Sequence, residues 1–92
     1  MFNDSLTGLP NRAGFSDQLE RVLADAEPGS IAVLVVDLTR FSRINESIGP
    51  LAGDELLITV ARRLLSTMRG GDVLARTGGN EFGVFVRVKD GP

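Results

Sequence analysis

Thr77-Gly78-Gly79-Asn80-Glu81-Phe82 stands between two runs that read as strands, Val73-Leu74-Ala75-Arg76 before it and Phe82 to Val88 after it. Two glycines between β-branched and aromatic runs are a hairpin signal. The tight turn that matches strand twist uses φ > 0, where only glycine is unstrained. The turn closes on Asn80 and Glu81, which predicts two polar side chains at the lip of a sheet.

Upstream of the hairpin, Ala52 or Gly53 to Met68 carries the cleanest amphipathic stripe. Leu56, Leu57, Val60, Ala61, Leu64, Leu65 and Met68 form it, with Glu55, Arg62, Arg63 and Thr67 outside. Before it, residues 41–48 predict a short helix stopped at Gly49-Pro50. Ile31-Ala32-Val33-Leu34-Val35-Val36 is a continuous apolar run ending at Asp37, the pattern of a strand buried on both faces in the middle of a sheet. Phe15, Leu19, Val22, Leu23 and Ala26 recur at helical spacing over about 11–27, with Asn11 placed to cap the N-terminus. Pro28-Gly29 stops that helix, and Asp4 to Arg12 is a loop rich in turn residues. A helix at about 11–27, a strand at 31–37, helices at about 41–48 and 52–68, and a hairpin at 73–88 predict one small mixed α/β (α+β) unit. It is a single-layer sheet with helices.

Composition narrows the chemistry. A net charge of -2 argues against a nucleic-acid partner, and the absence of Trp and Tyr removes stacking platforms for bases. Without Cys there is neither disulfide nor thiolate metal site, which permits a cytoplasmic setting. Without His, carboxylate chemistry with a hard cation is the main catalytic option. The longest apolar run, Ile31 to Val36, is too short to span a bilayer.

The residues themselves leave two readings open. If the hairpin pairs beside the strand that ends at Asp37, then Asp37, Asn80 and Glu81 converge on one sheet edge, where carboxylates can hold Mg²⁺ against phosphates. Alternatively Asp37 opens a turn, Glu81 is a solvated hairpin charge, and Asn45 and Asp54 cap helix ends.

Three ordered motifs bring a family into view. "DSLTGLPNR" (4–12), "VVDLTRFSRINESIGPLAGDELL" (35–57) and "ARTGGNEF" (75–82) resemble the GGDEF domains of bacterial cyclic di-GMP signalling, from Asp4 to about Val88. The resemblance implies a fold related to nucleotide cyclase and polymerase palm domains. It implies that Asp37, the Leu38 carbonyl and Glu81 hold Mg²⁺, that Asn45 and Asp54 read guanine, and that the Phe41 backbone lies near the phosphates. Guanine's N–H donors suit a carboxylate and its acceptors suit an amide. Arg69-Gly70-Gly71-Asp72 is similar to the family's RxxD inhibitory site for cyclic di-GMP, with Arg76 in support. A guanidinium can fork onto phosphate or the Hoogsteen edge of guanine. The other reading of Arg69 and Asp72 is a surface salt bridge.

The departures from the family pattern fall mostly in the metal and phosphate half. Asn80 stands at a catalytic position where active members carry an acid, and an amide brings neither charge nor a basic site at neutral pH. Thr39 replaces a second acid, Ser42 a lysine and Pro50 a histidine. The resemblance therefore implies, first, a degenerate module that binds GTP or cyclic di-GMP and regulates an attached domain. The alternatives are an active diguanylate cyclase working as a homodimer, and a ligand-free dimerisation or scaffold domain. The family's domain continues past the hairpin, so only its N-terminal portion is expected here, with an unprotected sheet edge. The opening and "GDELL" runs are similar to members fused to an EAL domain; a sensory domain is the other expected attachment.

Overall fold

The computed structural model describes residues 1–38 and 41–88, with only the helical backbone at positions 41, 42, 44 and 45. In chain order the elements are α1 (Arg12–Asp25), β1 (Ile31–Asp37), α2 (Phe41–Ile48), α3 (Pro50–Ser66), β2 (Val73–Gly78) and β3 (Glu81–Arg87). The strands form one antiparallel sheet in the order β1-β3-β2.

Strand alternation sorts the core into two layers. Leu74, Phe82 and Val84 point to one face, where Leu57 and Ala61 of α3 close over them with Val60, Leu64 and Met68 at the margin. Ala75 and Phe85 point to the other, where Phe15 of α1 seals them with Leu19 and Val22. The Phe15 and Phe85 rings meet at 5.6 Å and 53°, a tilted aromatic contact. Gly83 makes that contact possible: a Cβ there would lie 2.9 Å from Thr77 Cγ2 and 3.2 Å from the Phe15 ring. Helix α1 starts where Asn11 Oδ1 accepts the Gly14 N–H at 2.9 Å. Helix α3 starts on Gly49 and Pro50 without a side-chain cap. Leu23 and Leu65, read as stripe residues, are about half exposed, because each lies at the border of its helix's apolar face.

Two sequence expectations change. β1 does not lie mid-sheet; it is an edge strand of the described sheet, with Val33, Leu34 and Val35 exposed by 50%, 49% and 64%. Ile31 and Val36 reach the two core layers, but Val33, Leu34 and Val35 find no cover among the described elements. The hairpin turn also needs no left-handed residue, since neither Gly78 nor Gly79 has positive φ. A register shift between Arg76 and Gly78 supplies the extra bend instead, and Gly78 then pairs directly with Glu81. A Cβ on Gly78 would sit 3.3 Å from the Glu81 Cβ, a tight contact that Glu81 would have to move to accommodate.

Candidate functional site

The register brings the end of β1 to the hairpin tip. Asp37 pairs with Glu81 across β1–β3, so both carboxylates leave the same face of the sheet at its end. Glu81 is held from its own hairpin, where the Thr77 hydroxyl donates to Glu81 Oε2 at 2.6 Å. Beyond the last strand pair, the Leu38 N–H donates to the Asn80 carbonyl at 2.9 Å. The Asn80 side chain answers, its Nδ2 donating to the Leu38 carbonyl at 3.1 Å. A carbonyl oxygen only accepts, so the amide's NH₂, and not its oxygen, faces Leu38.

From the other side the tip is braced by Arg76. Its Nη2 donates to the Gly79 carbonyl at 2.9 Å, and its Nη1 meets Asp4 at 3.1 Å. Asp4 in turn accepts from the Thr7 N–H (2.9 Å) and hydroxyl (2.7 Å). Burial pushes the Asp4 pKa up, but the bonds from Thr7 and the Arg76 guanidinium outweigh it and leave the group below its ordinary value. The Arg76 N–H also donates to the Pro10 carbonyl at 2.9 Å, so the loop at 4–12 is stitched to β2. The Arg76 Nε is buried without a partner among the described residues.

At the far end of the hairpin the arrangement is different. Asp72 Oδ2 accepts the Arg69 backbone N–H at 3.0 Å, and the Asp72 N–H returns to the Arg69 carbonyl at 3.0 Å. Among the described residues no ion pair joins Arg69 to Asp72. Both line a cleft of about 610 Å³ with Val86, Arg87 and Val88. Arg87 lies over Gly71, with Cδ and Nε 3.7 Å from the point where a Gly71 Cβ would stand. Arg87 thus joins Arg69 and Asp72, whereas Arg76 is committed to Asp4 and the hairpin tip. Sequence reading passed over Arg87, although the hairpin register signals it: Val73 opposite Phe85 sets Gly71 beside Arg87.

Asn45 lies inside α2 and Asp54 inside α3, so neither is a helix cap. Asp54 is exposed. The Asn45 side chain, those of Phe41 and Ser42, and Thr39 lie outside the described residues. For a divalent cation, the chain offers the opposed carboxylates of Asp37 and Glu81 as hard oxygen donors. The Leu38 carbonyl is already bound by Asn80. The donors fit a cation held by two carboxylates and a ligand's phosphate oxygens; among the described residues no three acidic, His or Cys side chains gather.

A three-stranded antiparallel sheet with helices packed over β2 and β3 on its two faces, and a Gly-Gly-polar-acid turn at its end, defines a mixed α/β domain with a signature hairpin. The family model described as "Diguanylate cyclase, GGDEF domain" matches residues 1–90, and the chain belongs to that family. Among curated relatives, "Diguanylate cyclase TpbB" of Pseudomonas aeruginosa is 45% identical over 86 residues, covering 91% of this chain and 20% of the relative. "Cyclic di-GMP phosphodiesterase PdeR" of Escherichia coli is 40% identical, covering 86% of this chain and 12% of its own. The chain thus spans about a fifth, or less, of these relatives' length. The solved GGDEF domain of TpbB superposes with a TM-score of 0.87 at 43% identity, covering 97% of this chain and 53% of that one. The GGDEF domain of DgcB from Caulobacter crescentus, solved in complex with c-di-GMP, gives 0.88 at 33% identity, covering 96% and 53%.

Proposed function

We propose that the chain is a cyclic di-GMP signalling module that binds GTP or cyclic di-GMP without turning GTP over, and regulates an attached domain such as an EAL phosphodiesterase. The observation that carries this reading is the Asn80 amide at the third signature position, donating to the Leu38 carbonyl. A neutral amide engaged as a donor takes no proton from an attacking 3'-hydroxyl. The cleft of Arg69, Asp72 and Arg87 supports the binding half of the reading. Two guanidiniums beside a carboxylate suit a ligand with phosphates and guanine edges, and about 610 Å³ lies within the usual size range of ligand pockets. Asn45 and Asp54 are assigned to guanine, and Phe41 to the neighbourhood of the phosphates. Asp37 and Glu81 would hold Mg²⁺ with a bound nucleotide, where the ion would neutralise triphosphate charge.

Retained cyclase activity in a homodimer is the second reading, favoured by the direct opposition of Asp37 and Glu81. Turnover of GTP with Mg²⁺ separates the two. In a protein carrying the complete domain, the Asn80 form is expected to make no cyclic di-GMP and Asn80→Asp to gain product, with general-base assistance worth about 10²–10⁴-fold. Product formation by the wild type would overturn the proposal.

A further inference from the structure

Both main-chain polar groups of Leu38 are taken by one residue. The Leu38 N–H goes to the Asn80 carbonyl at 2.9 Å, and the Leu38 carbonyl receives Asn80 Nδ2 at 3.1 Å. This reciprocal pair extends the β1–β3 ladder one step past Asp37 and Glu81. It fixes the hairpin tip to the point where the chain leaves β1. The side-chain half of the pair works only with a donor at position 80. An aspartate there would set oxygen against the Leu38 oxygen and add negative charge to the end of the sheet that already carries the opposed Asp37 and Glu81. A cation between the oxygens would relieve both conflicts.

We infer that Asn80 is a latch: by donating to the Leu38 carbonyl, its amide holds the hairpin tip on the end of β1 without a divalent cation. An ionised acid at that position could supply the side-chain half of the tie only through a cation. The inference concerns the chain free of nucleotide and stands whether or not GTP or cyclic di-GMP binds. It makes Asn80 a positioning residue. It also links loss of the acid to a gain, a tip that is ordered in the absence of ligand and metal.

The test is thermal unfolding of the full chain and its Asn80→Asp and Asn80→Ala variants, in EDTA and in millimolar MgCl₂, with no nucleotide. In EDTA both variants are expected to melt about 4–8 °C below the wild type, the shift typical of one lost interaction in a domain of this size. MgCl₂ is expected to restore Asn80→Asp and to leave Asn80→Ala and the wild type unchanged. Hydrogen exchange gives a second readout that does not require the aspartate variant to fold. The Leu38 amide should exchange about tenfold faster in Asn80→Ala than in the wild type. Wild-type melting of Asn80→Ala in EDTA, or an unchanged Leu38 exchange rate in it, would overturn the latch. A wild-type response to MgCl₂ as large as that of Asn80→Asp would do the same.

Discussion

The two ends of β3 handle polar groups in opposite ways. At the Glu81 end, Thr77, Arg76 and Leu38 bind the side chain or carbonyl of Glu81, Gly79 and Asn80, so the tip is closed by the chain's own donors and acceptors. At the Arg87 end, about 20 Å away along a seven-residue strand, Arg69 and Arg87 line a cleft and no ion pair among the described residues engages them. Internally satisfied polar groups stabilise a fold and leave little for a ligand. Exposed guanidiniums contribute little to stability and keep their donors available. The contrast supports a stabilising role for the bonds at the tip and, on the proposed reading, recognition at the cleft.

Exchanging the roles of the arginines would break that contrast, and Arg76 gives the largest effect. Arg76→Ala removes the Asp4 ion pair and the bond to Gly79 and leaves a part-buried carboxylate unpaired. It is expected to cost about 1.5–3 kcal/mol by urea unfolding. Arg69→Ala, at an exposed site, should stay within about 0.5 kcal/mol of wild type in the same measurement. Comparable losses from both would erase the distinction between the two ends.

A smaller effect sharpens the contrast through pH. The Asp4 pKa is depressed in the folded chain relative to its ordinary value of 3.8. Its contribution is therefore fully present above that value and is lost as pH falls through the lower folded value. Stability measured from pH 5 downward should decline below about pH 4 in the wild type. Asp4→Asn should be less stable at neutral pH and lack that part of the decline. An identical acid profile in the variant would remove Asp4 from the set of stabilising groups.

Much of the fold was legible because two signals carry it: the β-branched and aromatic runs on either side of Gly78-Gly79, and the helical stripe of Leu57, Val60, Ala61 and Leu64. The site at the tip was legible only in part. Asp37 and Glu81 converge as the strand–hairpin reading proposed, because residues at the ends of paired strands must lie opposite. What Asn80 does was not legible, since donor and acceptor ends of an amide are equivalent in a sequence. The 72-residue separation of Asp4 and Arg76 left their pairing without a local signal. The bulge at Thr77 replaced the left-handed turn that two glycines suggest. The apolar run 31–36 described the burial that β1 asks for rather than its place at the edge of this sheet.

On the proposed reading the cleft at the Arg87 end binds a cyclic dinucleotide, and the deciding measurement is calorimetric titration of the full chain with cyclic di-GMP. Binding is expected in the wild type. Arg69→Ala should weaken it about 10–100-fold, the loss expected for a charge-assisted contact. Arg87→Ala should weaken it about tenfold, and Arg76→Ala should leave the affinity unchanged where the variant is folded. Absence of heat from the folded wild type, or affinity that survives loss of both Arg69 and Arg87, would contradict the assignment.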